Sequence, residues 1–386
     1  MKPMKRSKVH IPGRVVVAGA VLALTSACTL SSGNDASSGG ASSSPSASSS
    51  SGGSTGSAGG KSNGKYKIGI ASREIVNDYN RDIIGGAQSV LKKAGASVTV
   101  TNGQQSQTTE INNVENLINS GVDGLIIQLG DPGQLAPVVA KAKAKGIRVV
   151  TTSIGSHVDG TLTDVGGDET LMAEMMGRAL LSSINYKGDV YAFWVPGAPL
   201  LETRLRVFQA MVKDYPNVKL HLEPSDFSPA KVQSQMQAIL TANPGKGSIA
   251  GVWGAYDQMT SGAVQAIQQA GRSEIKVTSI DGDRATFPML FGDNSPFVAT
   301  VVQNAQGIGE IAAHTLLNSL DGKSKQLAPS TYTNAWVATR SNGVKAAEER
   351  YGAGFWKAVK LDKAAIIKKY PQTAPVVVVS PVLPAS

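Results

Sequence analysis

Cys28 is the only thiol of the chain, so sulfur chemistry rests on one residue and no intramolecular disulfide can form. Its flanks say what that thiol is for. Lys2, Lys5, Arg6, Lys8 and Arg14 precede it with no acidic residue. An apolar run over residues 15–24 follows, and then Thr25, Ser26 and Ala27. A basic head, a short apolar stretch and small residues read as an export signal. About ten apolar residues fall short of the roughly 20 that a membrane-spanning helix needs. Beyond this segment imidazole chemistry is confined to His157, His221 and His314, which are scattered without metal-ligand spacing. The strand-and-helix part of the chain offers no Gly-x-Ser-x-Gly elbow and no His-Glu-x-x-His helix. Neither a metal, a cofactor nor an enzymatic activity is therefore expected, although paired carboxylates leave hydrolysis open.

The N-terminal pattern resembles a bacterial lipoprotein signal, in which the cysteine is lipidated and becomes the new N-terminus. The usual Leu three residues before the cysteine is Thr25 here. The resemblance implies a signal peptide over 1–27, lipidation at Cys28 and an anchor on the outer face of the cytoplasmic membrane. Residues 28–64 are nearly all Ser, Gly and Ala, with no Leu, Ile, Val or aromatic after Leu30. Such a composition cannot bury enough apolar surface to offset chain entropy. As a flexible coil it would span about 30–35 Å, and it reads as a tether. The formal charge is +9. The five basic residues of the signal account for five of those nine charges, and the small remainder implies no nucleic-acid partner.

What could position functional groups is a long run of alternating strand and helix patterns from about residue 65. Short apolar strands are expected at 66–71 (YKIGIA), 97–101, 123–128 (DGLIIQ) and 147–152. Helical spacing is expected at 82–94, 110–120 and 135–145. The rhythm restarts with helices at 169–183, 202–214, 231–241 and 259–270, between strands at 188–195, 218–222, 249–253 and 275–280. Two open parallel sheets in tandem, each covered by helices on both faces, follow from this order. In such sheets ligands bind beyond the carboxyl ends of the strands.

The segments KIGIAS (67–72), GGAQSVLKKAG (85–95), NLINSGVDGLIIQ (116–128), AKAKGIRVVTT (142–152), GVWGAYDQMTSGAVQAIQQAG (251–271) and VTSIDGD (277–283) carry a further point by their order and spacing. Together the chain resembles the sugar-binding, ribose-binding-protein-like branch of the type I periplasmic binding proteins, over about residues 65–347. The resemblance implies an α/β fold of two Rossmann-like lobes joined by a three-crossover hinge. One lobe would comprise 65–167 plus 304–333 and the other 168–303 plus 334–345. Residues 346–386 form a C-terminal extension that the resemblance does not explain.

The same resemblance assigns ligand-binding positions. Asn77, Tyr79 and Asn80 follow the first strand, where the family places a polar group and stacking aromatics. A sugar offers C–H faces to a ring and hydroxyls to planar polar groups. Arg204 matches the family's ligand-binding arginine, whose fork can donate to two hydroxyls; Arg206 is its neighbour. Asp281 in SIDGD would accept hydroxyls, with a turn cap as the plainer reading, and Gln303 matches a glutamine near the hinge. Tyr256 stands where the family has an asparagine, and Asp257 beside it reads as a helix cap. Phe227 matches a stacking aromatic, with core packing as the alternative. Trp194 and Trp253 fit either cleft or core. Where the ribose binder has an Asp-Arg pair after its fourth strand, this chain has Ser153 and Ile154, which argues against ribose and for another sugar, a polyol or a less polar ligand.

The resemblance implies a monomeric solute receptor that delivers a sugar-like ligand to an ABC permease and its ATPase. The alternative is a ligand-sensing receptor, for a sugar or an autoinducer-2-like molecule, that feeds a membrane signalling partner. A sugar-responsive repressor would need a DNA-binding headpiece where this chain has its signal and tether.

Overall fold

The computed structural model describes residues 65–323 and 327–379. The signal (1–27), Cys28, the tether (28–64), residues 324–326 and residues 380–386 of the extension lie outside them.

The first half runs β1 (Lys67–Ser72), α1 (Asp78–Lys93), β2 (Ser97–Asn102), α2 (Gln107–Asn119), β3 (Gly124–Gln128), α3 (Pro132–Ala144), β4 (Arg148–Thr152) and β5 (Asp164–Gly167). The second runs α4 (Glu169–Ser183), β6 (Gly188–Trp194), α5 (Pro199–Val212), β7 (Val218–Pro224), α6 (Pro229–Ala242), β8 (Gly251–Gly254), α7 (Asp257–Gln269), β9 (Lys276–Asp281), α8 (Thr286–Phe291) and β10 (Phe297–Gln303). Then come α9 (Ala305–Leu320), β11 (Ser330–Thr333), β12 (Ala335–Thr339), α10 (Gly343–Tyr351), α11 (Phe355–Ala358) and α12 (Lys363–Lys369).

Two six-stranded sheets result, in the orders β11-β5-β4-β3-β1-β2 and β12-β10-β9-β8-β6-β7. The chain passes between them three times: after β5, after β10 and between β11 and β12. The second sheet is not wholly parallel, because β12 pairs antiparallel with β10. Every residue of β3 is buried, as a strand covered on both faces requires. On one face of the first sheet Ile83, Leu91, Ile308 and Leu316 pack together; on the other, Val114, Leu135 and Val139 do. The second sheet has one larger core around Phe193, Phe208, Trp253 and Phe297.

Several helices begin earlier than their apolar periodicity: α1 at Asp78, α3 at Pro132, α5 at Pro199, α6 at Pro229 and α7 at Asp257. The caps explain most of this. Asn77, Asp131 and Ser228 accept the backbone N–H groups of Asn80, Gln134 and Lys231, and proline suits the first helical turn. Polar caps and first turns carry no apolar stripe, so periodicity misses them.

The C-terminal segment is part of the second core. Phe355, Trp356 and Ile366 are buried in it, and Phe287 meets Phe355 edge-on at 5.4 Å. The chain then returns to the sheet, where Val379 bridges Ala335.

Candidate ligand-binding cleft

The carboxyl ends of β1, β3, β4, β6, β8 and β9 converge on one cavity of about 160 Å³. Asn77, Tyr79, Asn80 and Ser153 line it from the first sheet's side, and Arg204, Phe227, Tyr256 and Asp281 from the second's. Eight of the nine positions expected from sequence are thus brought together. The ninth, Gln303, is fully buried behind Asp281 and donates from Nε2 to its Oδ1 at 2.7 Å.

On the second side the centre is Arg204, 3% exposed. Its Nε donates to Glu169 and its Nη1 to the Ala255 carbonyl at 2.8 Å; Nη1 also stands 3.6 Å from Asp281 Oδ1. Burial works against the Arg204 charge, but Glu169 and Asp281 outweigh it and raise its pKa. Burial likewise raises Glu169, against the pull of Arg204. It pushes the Asp281 carboxyl up to about 7, with Arg204 opposing and Asp257 adding to the rise. Asp281 also has φ 132°, a region that side-chain-bearing residues rarely occupy and that is held only where the surroundings enforce it. Its side chain accepts from Gln303 and caps no turn.

On the first side the polar groups bind one another. Glu74 takes Asn77 Nδ2 at 2.9 Å and Asn80 Nδ2 at 2.8 Å, while Asn80 Oδ1 accepts from Gln128 at 3.1 Å. Tyr79 and Ser153 share a hydrogen bond of 2.8 Å between their hydroxyls. The Tyr79 ring is buried in the first core, and that burial raises its phenol pKa. Across the cleft Leu200 closes on Gly155, where a Cβ would lie 2.5 Å from Leu200 Cδ2. That close approach, at φ 82°, requires glycine.

One reading from sequence is corrected, and two left open between cleft and core are resolved. Asp257 is no cap: its carboxylate accepts from the hydroxyls of Ser279, Thr286 and Thr300 and the backbone N–H groups of Gly282 and Asp283. It thereby ties the loop after β9, which carries Asp281, to α7. The two tryptophans do not line the cavity. Trp253 is fully buried and stacks on Phe208 at 5.3 Å, and Trp194 packs half-buried against the same core. Phe227 is not core but 40% exposed at the cavity wall. Its carbonyl accepts from the Tyr256 hydroxyl at 3.1 Å.

Sequence reasoning missed Glu74 and Glu169. Glu74 lies two residues past β1, at a carboxyl end where ligands gather, and that position was a usable signal. Glu169 reads only as an acidic first-turn residue of α4.

The fold is that of a two-lobe α/β binding protein with a cavity walled by both of its sheets. Comparison with known proteins agrees. The family model described as periplasmic binding protein domain matches residues 68–324, and the chain belongs to that family. It is similar to the ribose import binding protein RbsB of Bacillus subtilis, 26% identical over 263 residues, covering 68% of this chain and 84% of that one. It is also similar to a xylitol-binding protein of Mycolicibacterium smegmatis, 25% identical over 233 residues, 59% of this chain and 64% of that one. Among solved structures, an ABC transporter solute-binding protein from Agrobacterium vitis with bound allitol superposes with a TM-score of 0.68. It is 24% identical and covers 74% of this chain and 98% of that one.

Proposed function

We propose that the protein is the solute-binding lipoprotein of an ABC transporter, and that it binds a sugar or polyol in the cleft and presents it to a membrane permease and its ATPase. The observation that carries this reading is the cavity walled by both sheets, with Arg204 and Asp281 side by side within it. A fixed donor fork beside a carboxylate suits vicinal hydroxyls. Relatives named for ribose import and xylitol binding support the ligand class. The lobes are 65–167 with 304–333, and 168–303 with 334–345; the hinge between them closes on the ligand. Cys28 carries the lipid, residues 28–64 hold the lobes off the outer face of the membrane, and the protein acts as a monomer that returns its ligand unchanged.

A thermal-shift screen over sugars and polyols tests the binding. A ligand at 100 times its dissociation constant adds about 2.7 kcal/mol of stability. A screen in which no sugar or polyol raises the melting temperature refutes this reading. Fractionation of Cys28→Ser tests the anchor: release into the soluble fraction is expected, and firm retention on membranes argues against lipidation.

A further inference from the structure

The polar side chains at the cleft are largely engaged with one another. Glu74 holds Asn77 and Asn80, Ser153 holds Tyr79, and the Phe227 carbonyl takes the Tyr256 hydroxyl. Arg204 commits Nε and Nη1 to protein acceptors, and Asp281 commits Oδ1 to Gln303. Arg204 Nη2 and Asp281 Oδ2 have no hydrogen-bond partner among the described residues. Arg73, Gln105 and Gln258 add polar groups to the wall, but a large part of it is apolar: Leu129, Ile154, Ala198, Leu200, Leu201 and the half-exposed ring of Phe227. A hydroxyl set against these apolar side chains would lose its water and find nothing to bond there. An unmatched hydroxyl taken from water into such a wall is disfavoured.

We propose that the ligand is two-faced. One end offers adjacent hydroxyls to Arg204 and Asp281, and the other is a deoxy or alkyl-substituted end that packs on Leu129, Ile154, Leu200 and Leu201. This rests on the cleft being the ligand site, and it narrows the class from sugars and polyols in general to deoxy or alkyl-bearing ones. Leu200 is the element of the wall that completes it across the cleft, since it seals against Gly155 of the opposite side.

The test is calorimetric titration of matched pairs that differ by one terminal hydroxyl: L-rhamnose with L-mannose, L-fucose with L-galactose, and 5-deoxy-D-ribose with D-ribose. In at least one pair the deoxy member is expected to bind at least about tenfold tighter, the range a single apolar group commands in a hydrophobic pocket. Leu200→Asn is expected to abolish that preference while the unliganded variant melts near the wild type. Should Leu200→Asn fail to fold, the exposed Phe227→Ser serves the same purpose. If the hydroxylated member binds as well as or better than its deoxy partner in every pair that binds, the inference fails while the reading of the cleft as a sugar site stands. If the preference survives in the folded variant, the apolar wall is not its source and the inference also fails. If no member of any pair binds, the sugar site itself falls, and the inference with it.

Discussion

Arg204 belongs to the cavity wall and to the fold at once. Its guanidinium links Glu169 of α4, the Ala255 carbonyl after β8 and Asp281 at the end of β9. Both partner carboxylates are buried. Removing one member of a buried ion pair leaves an uncompensated charge and costs about 3–5 kcal/mol. Arg204→Ala is therefore expected to weaken the unliganded protein by about that much, and the double variant with Glu169→Gln to recover a good part of it. Urea denaturation of the four proteins of this cycle measures both. A single variant that unfolds at the wild-type midpoint would show that the Arg204–Glu169 pair does not hold in solution. The consequence for binding studies is direct. An affinity loss in Arg204→Ala mixes a missing ligand contact with a loosened second lobe, whereas Asp281→Asn keeps an acceptor for Gln303 and reads the ligand contact more cleanly.

At the scale of elements, the sequence disclosed the alternation that sets the fold but not the pieces that join its halves. Strands such as DGLIIQ announce themselves because both faces are covered and Leu125, Ile126 and Ile127 form an unbroken apolar run. β5, with the sequence DVGG, carries one apolar side chain in four residues, so no pattern marks it, yet it opens the first passage between sheets. β11 and β12 are separated by Asn334 alone although they lie in different sheets. The cavity lining was legible position by position only through likeness to a family, since nothing local distinguishes a cavity-facing Asp281 from a turn cap. The internal partners, Glu74 and Glu169, were hidden because their role depends on contacts far apart in sequence. The C-terminal extension was likewise unexplained, and its packing accounts for it. Phe355 is 3% exposed and lies 5.4 Å from Phe287 and 5.1 Å from Tyr351. Phe355→Ala is expected to cost about 3–5 kcal/mol in a denaturant melt followed by tryptophan fluorescence. A loss below about 1 kcal/mol, within the range of ordinary surface substitutions or little more, would mean the extension is an appendage rather than a part of the second core.

At the scale of the molecule, the extension also bears on how the halves meet. Arg350, on α10, donates to the Asp281 carbonyl and stands 3.3 Å from Asp82 Oδ2 on α1. Arg284, after β9, stands 3.1 Å from the other oxygen of Asp82. One carboxylate of the first half thus receives two cations from the second. Asp82→Asn is expected to shift the unliganded protein toward a more open form, seen as a larger radius of gyration in X-ray scattering at low salt, with the difference shrinking as salt screens the wild-type pairs. Equal radii at every salt concentration would remove Asp82 from the closure.

The buried carboxyls set a second whole-molecule property, the dependence of stability on pH. Burial pushes Glu110 up to about 8 from an ordinary 4.5, with Arg73 and Gln107 opposing. It lifts Asp164 to about 6, against hydrogen bonds from Thr151, Ile154 and Gly155, and Asp281 to about 7. In each case the folded chain keeps a proton that the unfolded chain has already released. Between the unfolded and folded values the native state therefore binds more protons, and stability falls as pH rises. The contribution is neutral below the unfolded value near 4 and fully unfavourable above about 8. The melting temperature is expected to decline from pH 5 to pH 8.5. Glu110 has the widest window, and its Oε1 has no partner while Oε2 accepts from Gln107 at 3.0 Å. Glu110→Gln preserves an acceptor for Gln107 and cannot ionise, so its melting temperature should decline less steeply over that range and exceed the wild type's at pH 8.5. If the two proteins trace parallel curves, Glu110 is not protonated in the folded state at neutral pH, and its burial must be relieved by Arg73, which then draws toward it and away from the cavity that it lines.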